Sequence, residues 1–452
     1  MTRWRWARND TARLQQRAGP QKMLLTIAII LLFIFVLLGM DIAYAIGIAA
    51  LAFIGLSQFD ARPINPVLFV QSLTAGVDSY ALLAIPMFVL AGELMTKAGV
   101  TRRLIDFAAS LVAHRPGGLA NVGITGNLFM AGISGSAVAD AAATGSILIP
   151  EMKRRGYSAR FAAGVISASA AMAPIIPPSI MFILLASIAN ISVGELFVAG
   201  ILPGFLMYFG LLGMSGYLAR RYDLPVEPKA AAAERWRAVR AGILPLGAPV
   251  IIVLTKVFGV ATPTESAAIV VLYTVVLGVF VYGDLKFRDF VEASIAAAMT
   301  TAVIMMTVAF AQVFGSIAVM AGLGRMVQEA LLGISQNPYL LFLIINIGLL
   351  LLGTFLDPLP LMLILSPILF PLMTGLGVDP IHLGVVMVLN LVLGMITPPI
   401  GLNLFVMARI SGIGMLDVFR GGLPFYLVLW AALLVLTYVP AITLFLPELL
   451  LR

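Results

Sequence analysis

Helix-breaking residues recur in this chain at one spacing, 221 positions, and they recur inside apolar sequence. Gly132 is answered by Gly353, Gly156 by Gly377, and the pair Pro177-Pro178 by Pro398-Pro399. Ile147-Leu148-Ile149-Pro150-Glu151-Met152 is matched by Ile368-Leu369-Phe370-Pro371-Leu372-Met373, and Gly200, Leu202 and Pro203 by Gly421, Leu423 and Pro424. Chance matches come easily in a Leu/Ala-rich sequence; a run of Gly-on-Gly and Pro-on-Pro matches in one register does not. Further out the offset becomes 223, where Gly92 pairs with Gly315 and Ala98-Gly99 with Ala321-Gly322. The change falls in His114-Arg115-Pro116-Gly117-Gly118, which answers to the shorter Gln336-Asn337-Pro338. Gly39 and Gly259 form an outlying pair. The chain therefore reads as two copies of one plan.

Composition says what solvent those copies live in. Of 452 residues, 61% are hydrophobic and only 11% charged, against about 25% charged in soluble domains. Apolar runs are of helix length, and a hydrocarbon layer of ~30 Å takes roughly 20 residues per helix, so there is room for about ten or more spans. Barrel strands are short and alternate polar with apolar, a pattern not seen here. The expected fold is an all-α integral membrane protein. With no cysteine and two histidines, His114 and His382, thiolate and His-rich metal sites are excluded. A net charge of +7 points to basic cytoplasmic loops rather than nucleic acid.

Charge also divides the chain. Residues 1–22 hold Arg3, Arg5, Arg8, Arg13, Arg17 and Lys22 against Asp10 alone and read as a basic cytoplasmic tail, with Trp4 and Trp6 at the interface or the first residues simply unstructured. The apolar stretch that follows lacks a small-residue cleavage signature, so it is not a signal peptide. A polar stretch at 223–242, with Lys229, Arg235, Arg237 and Arg240, reads as a cytoplasmic linker between a first half, 23–222, and a second, 243–452. Lys153-Arg154-Arg155 and Arg160 follow Pro150, whereas the matching stretch Thr374 to Gly384 has no Lys or Arg. Basic loops stay cytoplasmic, so the equivalent loops belong on opposite faces and the repeats are inverted. Arg102, Arg103 and Arg325 occupy matching places in both halves; Gly99–Ala113 and the arm at 322–334 read as amphipathic helices lying on each surface, where Arg is tolerated.

Two kinds of interrupted segment carry the chemistry. The first kind includes Gly126 to Gly145, within an expected hairpin over 126–150, and Gly353-Thr354-Phe355-Leu356-Asp357-Pro358-Leu359-Pro360, within one over 350–374. The former is too rich in Gly and Ser for an unbroken lipid-facing helix; Pro358 and Pro360 are expected to break any helix in the latter. Non-helical backbone at membrane depth is tolerated only when buried in protein or lining a cavity, which suits two re-entrant helical hairpins. Asp357 is either a functional intramembrane carboxylate or a cap for the helix after it. Asp140, one turn beyond Ser136, either faces the same cavity or hydrogen-bonds within the hairpin.

The second kind is a pair of broken transmembrane helices, over 161–190 and 382–408, interrupted at Pro177-Pro178-Ser179 and Thr397-Pro398-Pro399-Ile400-Gly401. A half-helix beginning after such a break offers a positive dipole end to an anion, and one ending before it offers carbonyls to a cation. Ser179, Thr397 and Asn403 add oxygen ligands, an all-oxygen set that suits Na⁺. Duplicated halves with interrupted spans point to the binding site of a secondary transporter, here one taking up an organic anion with a cation. Glu265, after Thr262-Pro263-Thr264, reads as an acid at a helix start, and His382 as a structural hydrogen-bonding group.

At this point a resemblance becomes specific. Gly132-Ile133-Ser134-Gly135-Ser136-Ala137-Val138-Ala139-Asp140, Pro150-Glu151-Met152-Lys153-Arg154-Arg155-Gly156-Tyr157, Ile176-Pro177-Pro178-Ser179, Thr262-Pro263-Thr264-Glu265 and Thr397-Pro398-Pro399-Ile400-Gly401 resemble, in order, the signature blocks of the large, DctM-type membrane subunit of TRAP (tripartite ATP-independent periplasmic) transporters, of the ion-transporter superfamily. The resemblance runs over roughly 23–445, and no small-subunit sequence precedes residue 23, as expected of an unfused large subunit. It implies an inverted-repeat elevator in the bacterial inner membrane, working with a small four-helix membrane subunit and a periplasmic substrate-binding protein. Na⁺ would drive uptake of a carboxylate such as a dicarboxylate, a keto acid or sialic acid. By position, Na⁺ would be held around Ser134, Gly135, Pro177, Gly353, Thr354, Asp357, Thr397 and Pro398. Ser136, Asp140, Ser179 and Asn403 would face the substrate.

Two other readings stay open on the residues. One is a stand-alone Na⁺-coupled anion symporter of the same superfamily. The other is an intramembrane enzyme, for which two distant histidines and no cysteine make a poor constellation.

Overall fold

Where the sequence is apolar the chain is helical, and where Gly and Pro cluster the helices stop. The computed structural model describes residues 19–59, 63–229 and 231–452; most of the basic tail, with Trp4 and Trp6, lies outside them. In chain order the helices are α1 (Gly19–Leu37), α2 (Ile42–Ser57), α3 (Val67–Val77), α4 (Ala84–Lys97), α5 (Val100–Val112), α6 (Gly118–Ser134), α7 (Ala137–Arg154), α8 (Ala159–Ala170), α9 (Ile180–Ala189), α10 (Val193–Arg221) and α11 (Ala232–Ile243). There follow α12 (Gly247–Val257), α13 (Pro263–Val276), α14 (Phe287–Met320), α15 (Leu323–Ile334), α16 (Pro338–Gly353), α17 (Pro358–Gly375), α18 (Pro380–Gly394), α19 (Leu402–Ser411), α20 (Met415–Tyr438) and α21 (Ala441–Leu450). Among the described residues no strand occurs. Among the described residues six helices are long and apolar enough to cross a membrane, or seven if α11 and α12, bent by 47°, count as one span. Eight apolar helices are shorter, mostly because the breaks cut long apolar runs into parts.

The repeat is visible in local backbone. Gly39 and Gly259 have φ of +83° and +63°, Gly99 and Gly322 +67° and +78°, Gly156 and Gly377 +90° and +87°. Each pair marks the end of one helix and the turn into the next, in the left-handed region that favours glycine. The arms α5 and α15 both start directly after such a glycine. The helix start read from sequence at Thr262-Pro263-Thr264-Glu265 is that of α13, and Thr262 and Glu265 form a full capping box there, with Pro263 in the first turn.

Two compact units result, and neither is one half of the sequence. One takes the described residues up to Ser79 with Ala302–Leu341 and Met362–Gly377; the other takes Tyr80–Thr301, Phe342–Leu361 and Val378–Arg452. In the first, Phe310 packs beside Phe69, with ring centroids 6.4 Å apart, and lies where Gly47 has no side chain. The second unit carries every site residue expected from sequence. Its core is made by α6 to α10 and α18 to α20, where α8 packs along α20 and the ring of Phe161 meets that of Phe425 at 5.7 Å.

Part of the linker is helical. Residues 232–243 form α11, which packs on α5 where Gly242 lies against Phe107. Ahead of it, Tyr157 donates its hydroxyl to Pro225 O at 2.9 Å, Arg155 pairs with Glu227 at 3.1 Å, and Glu227 N donates to Ala113 O at 3.3 Å. Burial pushes the Tyr157 phenol up, so it remains a neutral donor there. Polar composition suggests a loop; packing against α5 makes a helix of it.

Candidate functional site

The first interruption is smaller than the sequence suggests. Gly126 and Asn127 lie in a regular helix, and so does Gly145; only Gly135 and Ser136 leave it, between α6 and α7. Tertiary packing overrides glycine's low helix propensity here, since most of this stretch is buried in protein. Ser136 caps α7 by accepting from Ala139 N at 3.4 Å. Gly135, at φ +62°, sits so close to Pro178 O that a Cβ has no room. The turn of the first hairpin therefore rests on the break between α8 and α9.

That break is complete. α8 ends at Ala170 and α9 begins at Ile180, because Pro174, whose N–H would have reached the Ala170 carbonyl, and then Pro177 and Pro178 have no N–H to continue a helix. Ser179 caps α9, accepting from Phe182 N at 3.2 Å and donating to Pro174 O at 2.5 Å. Both hydroxyl functions of Ser179 are thus engaged in holding the break.

The second half repeats the arrangement with other residues. Between α16 and α17 the chain turns at Thr354 to Asp357, and the Thr354 carbonyl accepts from Ile400 N at 3.2 Å and Gly401 N at 3.3 Å. Gly353 and Gly394 meet backbone to backbone. This turn therefore lies on the break between α18 and α19, as its counterpart does. The break expected of Pro358 and Pro360 falls just ahead of them, at Thr354 to Asp357, and the prolines themselves stand in the first turn of α17, where a missing N–H is harmless. Asp357, half-buried, accepts from Leu359 N at 2.9 Å, the capping alternative among its two readings. Thr397 donates its hydroxyl to Leu393 O at 2.7 Å, while its carbonyl points toward Gly401, 3.0 Å from where a Cβ would stand. Pro177-Pro178 and Pro398-Pro399 are both cis.

Asp140 is the most unusual group in the site. It is wholly buried in the first turn of α7. One carboxylate oxygen accepts from the Ser134 hydroxyl, and that hydroxyl accepts in turn from Ser136 N at 3.2 Å. The other oxygen is buried with no hydrogen-bond partner among the described residues. A buried carboxylate left half-satisfied is costly unless it meets a proton, a cation or water. The hairpin-internal reading of Asp140 accounts for one oxygen and leaves the other open.

Asn403, fully buried, joins the halves: its amide donates to Ser167 O on α8 at 3.2 Å, while its own oxygen has no partner among the described residues. His382 bonds Thr443 Oγ1 at 2.8 Å, a structural role as expected.

Sequence reading missed one pair of contacts. In the first half Asn127 Nδ2 donates to Ser169 Oγ at 2.6 Å, tying α6 to α8. In the second, Asn390 Nδ2 donates to Asn346 Oδ1 at 2.9 Å, tying α18 to α16. Ser169 and Asn390 are 221 apart, so the repeat register contained the signal. Among the described residues no group of three or more His, Cys, Asp or Glu is placed to hold a metal ion; the oxygen donors present are hydroxyls, carbonyls and the carboxylates of Asp140 and Asp357.

Known proteins resemble this chain over most of its length. The family model for the DctM component of the tripartite ATP-independent periplasmic transporter matches residues 29–442. The sialic acid TRAP transporter large permease protein SiaM of Vibrio cholerae is 39% identical over 91% of this chain and 95% of its own length. The 2,3-diketo-L-gulonate TRAP transporter large permease protein YiaN of Escherichia coli is 40% identical over 89% and 94%. Among solved structures, the YdaH transporter of Alcanivorax borkumensis superposes with a TM-score of 0.57 at 16% identity, covering 90% of this chain and 97% of that one, a likeness of fold.

Proposed function

The chain belongs to the DctM component family of tripartite ATP-independent periplasmic transporters, and on that premise we propose that it couples the import of an organic anion to Na⁺. It is a large permease protein of the bacterial membrane, and its relatives are transporters rather than enzymes. The coupling, the motion and the ligands are our reading.

The observation that carries the reading is the seating of each hairpin turn on the helix break of its own half: Gly135 on Pro178, and Thr354 on Ile400 and Gly401. Unwound backbone held by a neighbouring turn leaves carbonyls that are neither helical nor solvated, and such groups serve small hard cations. Asp140 adds a charge. Its open oxygen beside Ser134 suits Na⁺ better than an organic anion, since two carboxylates would repel. We therefore assign Asp140 to the cation, with Ser134 and Ser136, and retain the Thr397 and Gly353 carbonyls for a second cation position. Ser179, engaged on both sides, serves as a cap that aims the dipole end of α9 at the substrate's negative charge.

The basic run Lys153-Arg154-Arg155 set against a counterpart without Lys or Arg supports inverted halves, and the short turns packed on buried helix breaks support re-entrant hairpins. An elevator motion of the hairpins and broken helices against the remaining helices is what the family resemblance implies, and it is part of the proposal. Relatives named for sialic acid and 2,3-diketo-L-gulonate favour a carboxylate substrate. The tripartite description of the family favours a small membrane subunit and a periplasmic binding protein as partners.

The test is uptake into proteoliposomes containing this chain, the small membrane subunit and a binding protein loaded with a carboxylate. Uptake should require an inward Na⁺ gradient and all three components. Transport by this chain alone, indifferent to Na⁺, would reject the proposal in favour of a different carrier.

A further inference from the structure

The linker helix α11 carries a face suited to neither water nor hydrocarbon. Gly242 is buried against Phe107 and Arg235 is half-buried, which sets one side of α11 on α5. The opposite side presents Trp236 at 59% exposure, Ile243 at 52% and Leu244 at 38%, with Arg237 and Arg240 exposed among them. Spacings of three, four and seven residues put Trp236, Arg240 and Ile243 in one row and Arg237, Arg240 and Leu244 in the next. The Arg240 guanidinium lies over the Trp236 ring, 5.1 Å from its centroid, which orients the cation and leaves its donors free. Among the described residues none of Arg235, Arg237 and Arg240 forms an ion pair.

The helix is also anchored. Tyr282 donates to Ala241 O at 2.8 Å and Tyr273 to Leu244 O at 2.6 Å. Immediately beyond, the chain bends by 47° and enters the apolar helix α12. α11 is thus fixed at the level where the chain passes from polar to apolar surroundings. Indole, aliphatic side chains and unpaired guanidiniums together at that level match the headgroup zone of an anionic leaflet.

We propose that the outer face of α11 binds an anionic phospholipid, with Arg237 and Arg240 on the headgroup phosphate and Trp236, Ile243 and Leu244 at the glycerol and upper acyl chain. Charge complementarity carries this choice of occupant: the face holds two unpaired guanidiniums, and Glu234 is the one acid on α11. Arginine's planar fork suits a phosphate. Because α11 continues into α12 and touches α5, bound lipid would brace the linker against the arm helix.

The experiment titrates the full-length protein, purified in neutral detergent, with phosphatidylglycerol, phosphatidylcholine or inorganic phosphate. Bound lipid is read by native mass spectrometry and stabilisation by thermal unfolding. Phosphatidylglycerol should bind and raise the melting temperature, and the other two should not. Replacing both arginines (R237Q/R240Q) should weaken phosphatidylglycerol binding about thirtyfold, from the usual contribution of an arginine at an anionic surface, with unchanged melting in detergent alone. If that double variant fails to fold, Arg237→Gln alone, at an exposed side chain, should weaken binding several-fold. Equal binding of phosphatidylcholine, equal stabilisation by inorganic phosphate, or wild-type lipid affinity in the arginine variants would overturn the proposal. So would a photo-crosslinker at position 236 that captures protein and no lipid in native membranes.

Discussion

Gly394 meets Gly353 so closely that a Cβ on Gly394 would stand 2.6 Å from the Gly353 Cα. Two helices, α16 and α18, touch through bare backbone at the level of the second break. Replacing Gly394 with alanine should push the hairpin turn off that break. Overpacking of this kind costs about 1–3 kcal/mol, and we expect a lower melting temperature together with loss of uptake. Wild-type uptake by Gly394→Ala in proteoliposomes would show that the close approach is not needed.

Asp140→Asn keeps the size and removes the charge. On our assignment it should weaken apparent Na⁺ affinity in uptake by at least about tenfold, equivalent to about 1.4 kcal/mol, at normal membrane expression. Ser134→Ala should weaken it in the same direction by a smaller factor. An unchanged Na⁺ dependence in Asp140→Asn would move the cation elsewhere.

Ser179→Ala separates a cap from a ligand. Loss of an N-cap hydroxyl costs about 1 kcal/mol, so stability should fall while the Na⁺ concentration for half-maximal uptake stays constant. A shift in that concentration without loss of stability would mean that Ser179 touches the ion.

Asn127→Ala and Asn390→Ala remove corresponding ties in the two halves. Each leaves a buried polar partner unmet, at a cost of about 1–3 kcal/mol. The two sites share no contact, so thermal unfolding of the double variant should show additive losses. Strong non-additivity would indicate that the halves act as one cooperative element at these positions.

The sequence determined where helices must end. Proline lacks the N–H that a helix needs, and glycine alone enters the left-handed region freely. So both double-proline breaks, the starts of α5 and α15 after Gly99 and Gly322, and the helix start before Glu265 were legible from residue type and local spacing. Family membership was legible for the same reason, because short ordered blocks carry it.

Tertiary structure alone decided what meets what. Nothing local to Gly135 says that Pro178 lies beside it, or that the Thr354 carbonyl takes two amides from Ile400 and Gly401, far along the chain. Polar side chains behaved likewise: Ser179 became a cap, Asn403 a cross-link between halves, and Asp140 a half-satisfied buried carboxylate. Local rules give each of these groups several partners of similar strength, and packing selects one by removing water from the others. Helix boundaries depend on neighbours in sequence, whereas the state of a buried polar atom depends on neighbours in space.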